Sequence, residues 1–335
     1  MRLKRTVIVI TLIGMLQGCF DDDKAKGLFV DYSERLANVV ETSPIPPSES
    51  RAIKLPRKRD LVVPIEDTRM GLLDAYELRQ CGLFQLIADR NSILGKVQDA
   101  FRQLNYELAL LRTLNQCLED VTSEPLSSEL KRIQVVKRNQ IHLVYWNTFA
   151  SSDAWRSQLT PPSISMISPD TPFAHSEALL AIESYSSLLA NPSSRNVLEL
   201  QEPIEKQRYL GALFYSMDES TRWLNAATEQ LERDDARVLC GKNRNTTRFT
   251  YLQNVFSTFF IDGVQPYLSK INGLYLDAQP SLVRLHQRFG EMPPFTDYSA
   301  AYFSGEHYDE FQDAVKNHVA YWQTLFKRCG VKIGR

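Results

Sequence analysis

Glycine is scarce in this chain. There are 14 among 335 residues, and none between Gly95 and Gly211. Neither a P-loop nor a dinucleotide fingerprint is present, and no serine nucleophile elbow occurs. The five cysteines include no CxxC pair and no His-Cys spacing, which argues against a zinc site. Neither sign of charge dominates. The 39 Lys+Arg against 40 Asp+Glu leave a net charge of −1, without the basic excess of a nucleic-acid binder. Long apolar runs are also missing, since a membrane-spanning helix needs about 20 residues. With 43% hydrophobic and 24% charged residues, the composition excludes a disordered, collagen-like or polytopic membrane chain.

What is present begins at the N-terminus. Arg2, Lys4 and Arg5 precede a mostly apolar run from Thr6 to Leu16, the layout of a secretory signal peptide. Leu16-Gln17-Gly18-Cys19 resembles a bacterial lipobox. The resemblance implies diacylglycerol on the Cys19 sulfur, cleavage before Cys19 and an acylated N-terminus, anchored by several chains where one alone binds marginally. The plainer alternative is an ordinary signal peptide or signal anchor with Cys19 incidental. Phe20 stands where an Asp would favour retention at the inner membrane, so the expected location is the outer membrane, with Asp21 one place further on. The mature chain would be residues 19–335, with a formal charge of about −4 after loss of three positive charges.

With Cys19 assigned to lipid, Cys81, Cys117, Cys240 and Cys329 remain, and four cysteines allow three connectivities. An exported compartment permits disulfides. Cys81–Cys117 would bracket one helical hairpin, and Cys240–Cys329 would tie the end of a long helix to the C-terminus. Either closure would stabilise by roughly 4 kcal/mol on chain-entropy grounds. Free buried thiols are the alternative. Gly82, Gly241 and Gly330 follow three of the cysteines, which places these cysteines in final helical turns.

Apolar residues recur at helical spacing, not in alternation. One stripe runs from Leu94 through Val97, Phe101, Leu104 and Leu111 to Leu118, with Asn91 or Ser92 as N-cap. Others run from Leu130 to Phe149, from Leu210 to Leu231 with Pro203 opening the helix, and from Tyr308 to Phe326. Shorter helices are expected near 24–41, 70–90, 176–190 and 244–288, the last broken or kinked at Pro266 and Pro280. Residues 43–68 carry five prolines and read as an extended stretch; 160–173, with four, read as a loop between two halves.

Few residues suggest chemistry. Glu183-Ser184 has the order found in helical lytic transglycosylases, but the glycine-rich segment such enzymes need downstream is missing; an exposed helical Glu is the plainer reading. His307, Glu310 and His318 share a helical face at metal-ligand spacing, yet no matching motif occurs on another helix. Arg51, Lys54, Arg57, Lys58 and Arg59 form a basic stretch suited to anionic headgroups, or to a solvated linker. Asp89-Arg90 suits a buried ion pair. The dense aromatics of the last third, Tyr251 to Phe303, suit a core or a ligand groove.

The segment Cys81-Gly82-Leu83-Phe84-Gln85-Leu86-Ile87-Ala88-Asp89-Arg90-Asn91-Ser92-Ile93-Leu94-Gly95-Lys96-Val97, together with the lipobox, resembles a family of Gram-negative lipoproteins known as a domain of unknown function. The resemblance covers most of the mature chain and implies an envelope lipoprotein without supplying catalytic residues. The expectation is an all-α, multi-helix antiparallel bundle, lipid-anchored, with two disulfides. It divides as 1–18 signal peptide, 19–68 lipidated N-terminus and linker, 69–159 N-terminal half and 160–335 C-terminal half. The expected role is a non-enzymatic scaffold or assembly factor facing the periplasm, held to the membrane by its lipid. Its partner would be an envelope protein or the cell wall, with no nucleic acid, metal or cofactor. The alternatives are a binding module for a lipid, peptide or cell-wall fragment, and an enzyme.

Overall fold

The structure, a computed structural model, describes residues 23–66, 76–92, 95, 98–188, 196–241, 244 and 246–331. All regular structure among them is helical, and the elements assemble as a multi-helix bundle. No helix among the described residues is long and apolar enough to cross a membrane.

Helix α1 (Lys24–Val40) buries Phe29, Tyr32, Leu36 and Val40 along one face. Asp23 opens it, accepting a hydrogen bond from the Lys26 amide at 3.0 Å. The proline-rich stretch that follows is a strap lying along the helix Tyr209–Arg233. Within it the only regular element described is the short helix α2 (Lys58–Leu61). Beyond it come α3 (Leu83–Asn91), α4 (Ala100–Asp120) and α5 (Glu124–Ser151). Helix α4 starts later than its apolar stripe suggested. Its N-cap is Asp99, whose carboxylate accepts from the Arg102 amide, and Leu94 and Val97 lie outside the described residues. Three residues join α4 to α5, so the two pack as an antiparallel hairpin.

The chain continues through α6 (Asp153–Leu159), the 160–175 loop and α7 (Ser176–Ser186). A 3₁₀ turn then leads into α8 (Gln201–Lys206), which holds Pro203, and α9 (Tyr209–Arg233). Gly211 permits the approach of α9 to the end of α6. A Cβ there would lie 2.6 Å from the Thr160 carbonyl oxygen.

Residues 247–289 form one continuous helical rod, unbroken at either proline. It comprises α10 (Thr247–Val255), a π-helical stretch (Phe256–Val264) and α11 (Gln265–Phe289). The wider π turns end just before Pro266, where Gln265 donates to the carbonyl of Phe260, five residues back. Pro266, which has no amide hydrogen, falls at the return from π to α turns. Short α12 (Thr296–Phe303) and long α13 (Glu306–Arg328) complete the fold.

Partner residues give the helix directions. Along α9, Phe214 meets Tyr302, Thr228 meets His318 and Asp235, just beyond α9, meets Arg328, so α9 and α13 run alike. Helix α1 shares that direction, since Thr42 meets Asp234 and Tyr32 meets His318. The 247–289 rod runs antiparallel to all three: Arg248 donates to the Val39 carbonyl, and Tyr267 packs near Phe29. Parallel neighbours need a return path. The rod supplies it between α9 and α13, and the strap supplies it after α1. Strap residue Ile45 donates to Gln230, Ser48 accepts from Arg222 and Ser50 donates to Asp218. These contacts march backward along α9. The strap then ends against α5, where Trp146 donates to the Leu61 carbonyl and Asn147 bonds both backbone groups of Val63.

The described residues form two apolar cores. The main one runs from Ala25 to Phe326 and includes Trp146, Trp155, Tyr185 and Phe289, drawing on both sides of the 160–175 loop. A smaller one, with Leu83, Leu110, Leu114, Leu130 and Ile133, joins α3 to the far part of the α4–α5 hairpin. At the junction of the two, Lys137 donates to Glu107 at 2.8 Å with both side chains 7% exposed.

Cys81 lies 5.2 Å from Cys117 between Cα atoms, and Cys240 lies 5.1 Å from Cys329, both pairs within disulfide reach. Only Cys329 ends a helix, with Gly330 in the left-handed conformation behind it. Cys81 instead precedes α3, where Gly82 is the N-cap, and Cys240 follows the 3₁₀ turn Asp235–Arg237. Glycine with positive φ serves helix starts and loops as well as helix ends.

Candidate functional site

An opening with aromatic lining lies between α1 and the π stretch. Residues of α1 whose side chains point away from the core meet the outward side of the rod, leaving two adjoining grooves with Thr258 and Phe259 shared between them. One has a volume of about 440 Å³ and is lined by Arg35, Asn38, Tyr251 and Asn254 among others. The other, of about 270 Å³, is lined by Lys24, Leu28, Asp31 and Asp170. π turns are rare and concentrate at functional sites, because an added residue per turn re-aims side chains. Here the π stretch places Phe260 in the core while Phe259 stays half-buried between the grooves.

The electrostatics of these grooves are local. The Arg35 guanidinium lies 5.1 Å from the Phe259 ring centroid and pairs with Asp31 at 3.1 Å. At the far end Arg248 joins Glu41 at 2.9 Å and donates to the Val39 carbonyl. Glu41 closes α1 in the left-handed conformation usually given to glycine, with φ 57°. Tyr251 is 56% exposed. The first groove thus combines an aromatic floor, the Arg35 cation over Phe259, and two asparagine side-chain amides. A third opening of about 530 Å³, between α9 and α13, is polar and carries Glu229, Glu232, Asn317 and Tyr321.

The residues singled out from sequence fall as follows. Cys19 lies outside the described residues. Arg51, Lys54, Arg57, Lys58 and Arg59 are all exposed; Arg57 and Arg59 pair with Asp60, and Lys58 lies 3.9 Å from Asp153. Glu183 is exposed on α7. The helical face His307, Glu310, His318 is split by packing. Glu310 is exposed, His307 rests on Tyr302, and His318 is fully buried. Among the described residues no group of three or more His, Cys, Asp or Glu is placed to hold a metal ion. Asp89 is exposed and bonded to Gln85, while Arg90 reaches the Gly95 carbonyl, so the buried pair expected there is found at Glu107–Lys137 instead. Of the late aromatics, Phe260, Tyr267, Tyr275, Tyr298, Tyr302 and Phe303 are core, whereas Tyr251 and Phe259 line a groove.

Burial also shapes His318. Its Nε2 lies 2.7 Å from the Tyr32 hydroxyl and 3.1 Å from the Trp322 indole nitrogen, and its Nδ1 lies 2.9 Å from the Thr228 hydroxyl. Loss of solvation in this pocket pushes its pKa down to about 3, so the ring is neutral near pH 7. The same burial raises the Tyr32 phenol well above its ordinary range, partly offset by a hydrogen bond from Trp322. This cluster joins α1, α9 and α13.

Sequence reading missed Arg35, Asn38 and Asn254 as groove residues. A signal existed for the first two, which sit three apart on the polar face of α1. No pattern announced the π stretch.

The described residues define an all-α bundle with two cysteine pairs at disulfide distance and a mixed aromatic–polar groove. The chain belongs to the family described as "Protein of unknown function (DUF3080)", which it matches over residues 29–333. No curated protein and no solved structure matches the chain.

Proposed function

We propose that this protein is a lipid-anchored component of the bacterial cell envelope, facing the periplasm from the outer membrane, that acts as a scaffold or assembly factor by binding another envelope component. One observation carries the reading. The lipobox cysteine Cys19 stands four residues before Asp23, the cap of α1, and the same helix lines both grooves beside Phe259. Anchor and grooves thus lie on neighbouring stretches of the chain. The exposed basic stretch from Arg51 to Arg59 supports a further contact with anionic headgroups, each charge contributing about 1 kcal/mol near a charged surface.

A photo-crosslinking amino acid at Tyr251 or Asn38, placed in the full chain in intact cells, tests the role. A discrete adduct with one envelope protein is expected, absent from probes at Val135 on the hairpin. Probes that captured the same background from all three positions would end the idea. Fatty-acid labelling tests the anchor: it is expected on the wild-type chain and lost in Cys19→Ser. A second reading takes the 440 Å³ groove as a pocket for a lipid, peptide or cell-wall fragment. Adducts with glycan or lipid, and not with protein, would favour it.

A further inference from the structure

Two large apolar side chains stand exposed on the loop that follows α6: Ile164 at 44% and Met166 at 41%. Single exposed apolar residues are ordinary. These two differ in how they are held. They alternate with Ser165 and Ile167, and both of those turn inward. Ile167 is fully buried in the main core, and the Ser165 hydroxyl lies 3.1 Å from the Tyr267 hydroxyl. With 165 and 167 held inward, 164 and 166 are the members of the run left facing solvent. The rest of the loop is equally fastened. Lys270 donates to the carbonyls of Ser168 and Thr171, Lys24 pairs with Asp170 at 3.1 Å, and Arg208 donates to Thr160 at 3.2 Å. A loop this firmly tied gives up the freedom to fold its apolar side chains back against the protein.

Its neighbour is the start of α1. Asp23 uses one carboxylate oxygen to cap α1 and the other to accept from the Ser165 amide at 3.0 Å. The residue between Ile164 and Met166 is therefore bonded to Asp23. Asp23 stands four positions after Cys19, and four residue steps span at most about 14 Å in any conformation. A lipid on Cys19 would thus hold the bilayer surface within that reach of Asp23, to which the residue between the two exposed side chains is bonded.

We propose that Ile164 and Met166 form a wedge that inserts into the bilayer surface where Cys19 is anchored, so that the protein stands on the membrane in one orientation, on the end carrying Asp23 and the 160–175 loop. The proposal rests on the lipid-anchor reading above. With the wedge inserted, α1, α9 and α13 all lead away from the membrane, and the grooves beside Phe259 open on the flank of the bundle.

The test uses the full-length lipidated protein reconstituted in vesicles of phosphatidylethanolamine and phosphatidylglycerol carrying brominated acyl chains. An environment-sensitive fluorescent amino acid is placed at position 164, 166 or, as reference, 135. Fatty-acid labelling of each preparation is measured alongside. The expected result is a blue-shifted emission quenched by the bromines at 164 and 166, and an unquenched, water-like emission at 135. A labelled, vesicle-bound protein with all three probes unquenched, or all quenched alike, overturns the wedge and leaves the anchor standing. A protein that carries no fatty acid and stays off the vesicles overturns the anchor reading and the wedge with it. To check the wedge in cells, a photo-crosslinker at 166 should capture phospholipid; a protein adduct there would assign the loop to protein docking and refute the wedge.

Discussion

Replacing His318 with glutamine isolates the energetic consequence of a neutral imidazole sealed into the core. His318 faces Tyr32 from α1, Thr228 from α9, Trp322 on its own helix and Phe260 from the π stretch, and none of these carries charge at neutral pH. The unfolded imidazole ionises near pH 6.5, whereas in the fold its pKa is about 3. A depressed folded pKa means that as pH falls the unfolded chain takes up a proton the folded chain refuses. Stability from this source is complete above pH 6.5 and is lost progressively down to about pH 3. At about 1.36 kcal/mol per unit, the loss between pH 7.5 and 4.5 is about 2.7 kcal/mol. Asp60, Glu129, Glu202 and Asp235 have carboxyls held below their ordinary range by arginine or lysine partners, so their share of acid destabilisation comes at lower pH. His318→Gln keeps an amide for Tyr32 or Thr228 and cannot titrate. Urea unfolding followed by far-UV circular dichroism at pH 7.5, 6.5, 5.5 and 4.5 reads the difference. The variant is expected to be less stable at pH 7.5, with the gap closing by about 2.7 kcal/mol at pH 4.5. A gap independent of pH would show that His318 titrates normally and that the sealed-pocket reasoning is wrong.

Further expectations concern the seam, the bridges and one close approach. Removing one member of the buried pair, as in Lys137→Met or Glu107→Leu, should cost about 3–5 kcal/mol, while the double replacement should recover most of it. Additive losses in that double-mutant cycle, measured by urea unfolding, would refute the coupling. Serine at Cys240 and Cys329 should destabilise more than serine at Cys81 and Cys117, by somewhat under 1 kcal/mol, because the closed loops span 89 and 36 residues. The reverse order in denaturant midpoints would contradict the loop argument. Gly211→Ala should cost about 1–3 kcal/mol, since its Cβ meets the immovable carbonyl of Thr160. An unchanged melting temperature would show that α9 can shift freely.

What the sequence made legible was local. Every long apolar stripe became a helix, and both cysteine pairings follow the hairpin and C-terminal logic read from spacing. What stayed hidden depended on distant partners. Asn91 and Ser92 looked like the cap of α4, but Asp99, eight and seven residues on, won that role with its carboxylate on the Arg102 amide. Pro266 looked like a break, and the π turns before it carried the rod through. His318 shares a helical register with Glu310, so only the arrival of Tyr32 and Thr228 from elsewhere reveals it as core. The strap's path is set by Gln230, Arg222 and Asp218, residues that sequence places with the polar side of a later helix. The grooves arise where α1 and the rod meet, a juxtaposition of segments more than 200 residues apart.

The attachment of α1 has a mechanical consequence. Its leading end is fastened by Asp23 to the 160–175 loop, its trailing end by Arg237 and Arg248 to the carbonyls of Val40 and Val39, and its middle by Tyr32 in the core. A pull at residue 23 along the helix axis therefore loads these contacts in shear, all at once, instead of peeling them one by one. Tension arriving at residue 23 would pass directly into the bundle, making the helix a stiff mooring post.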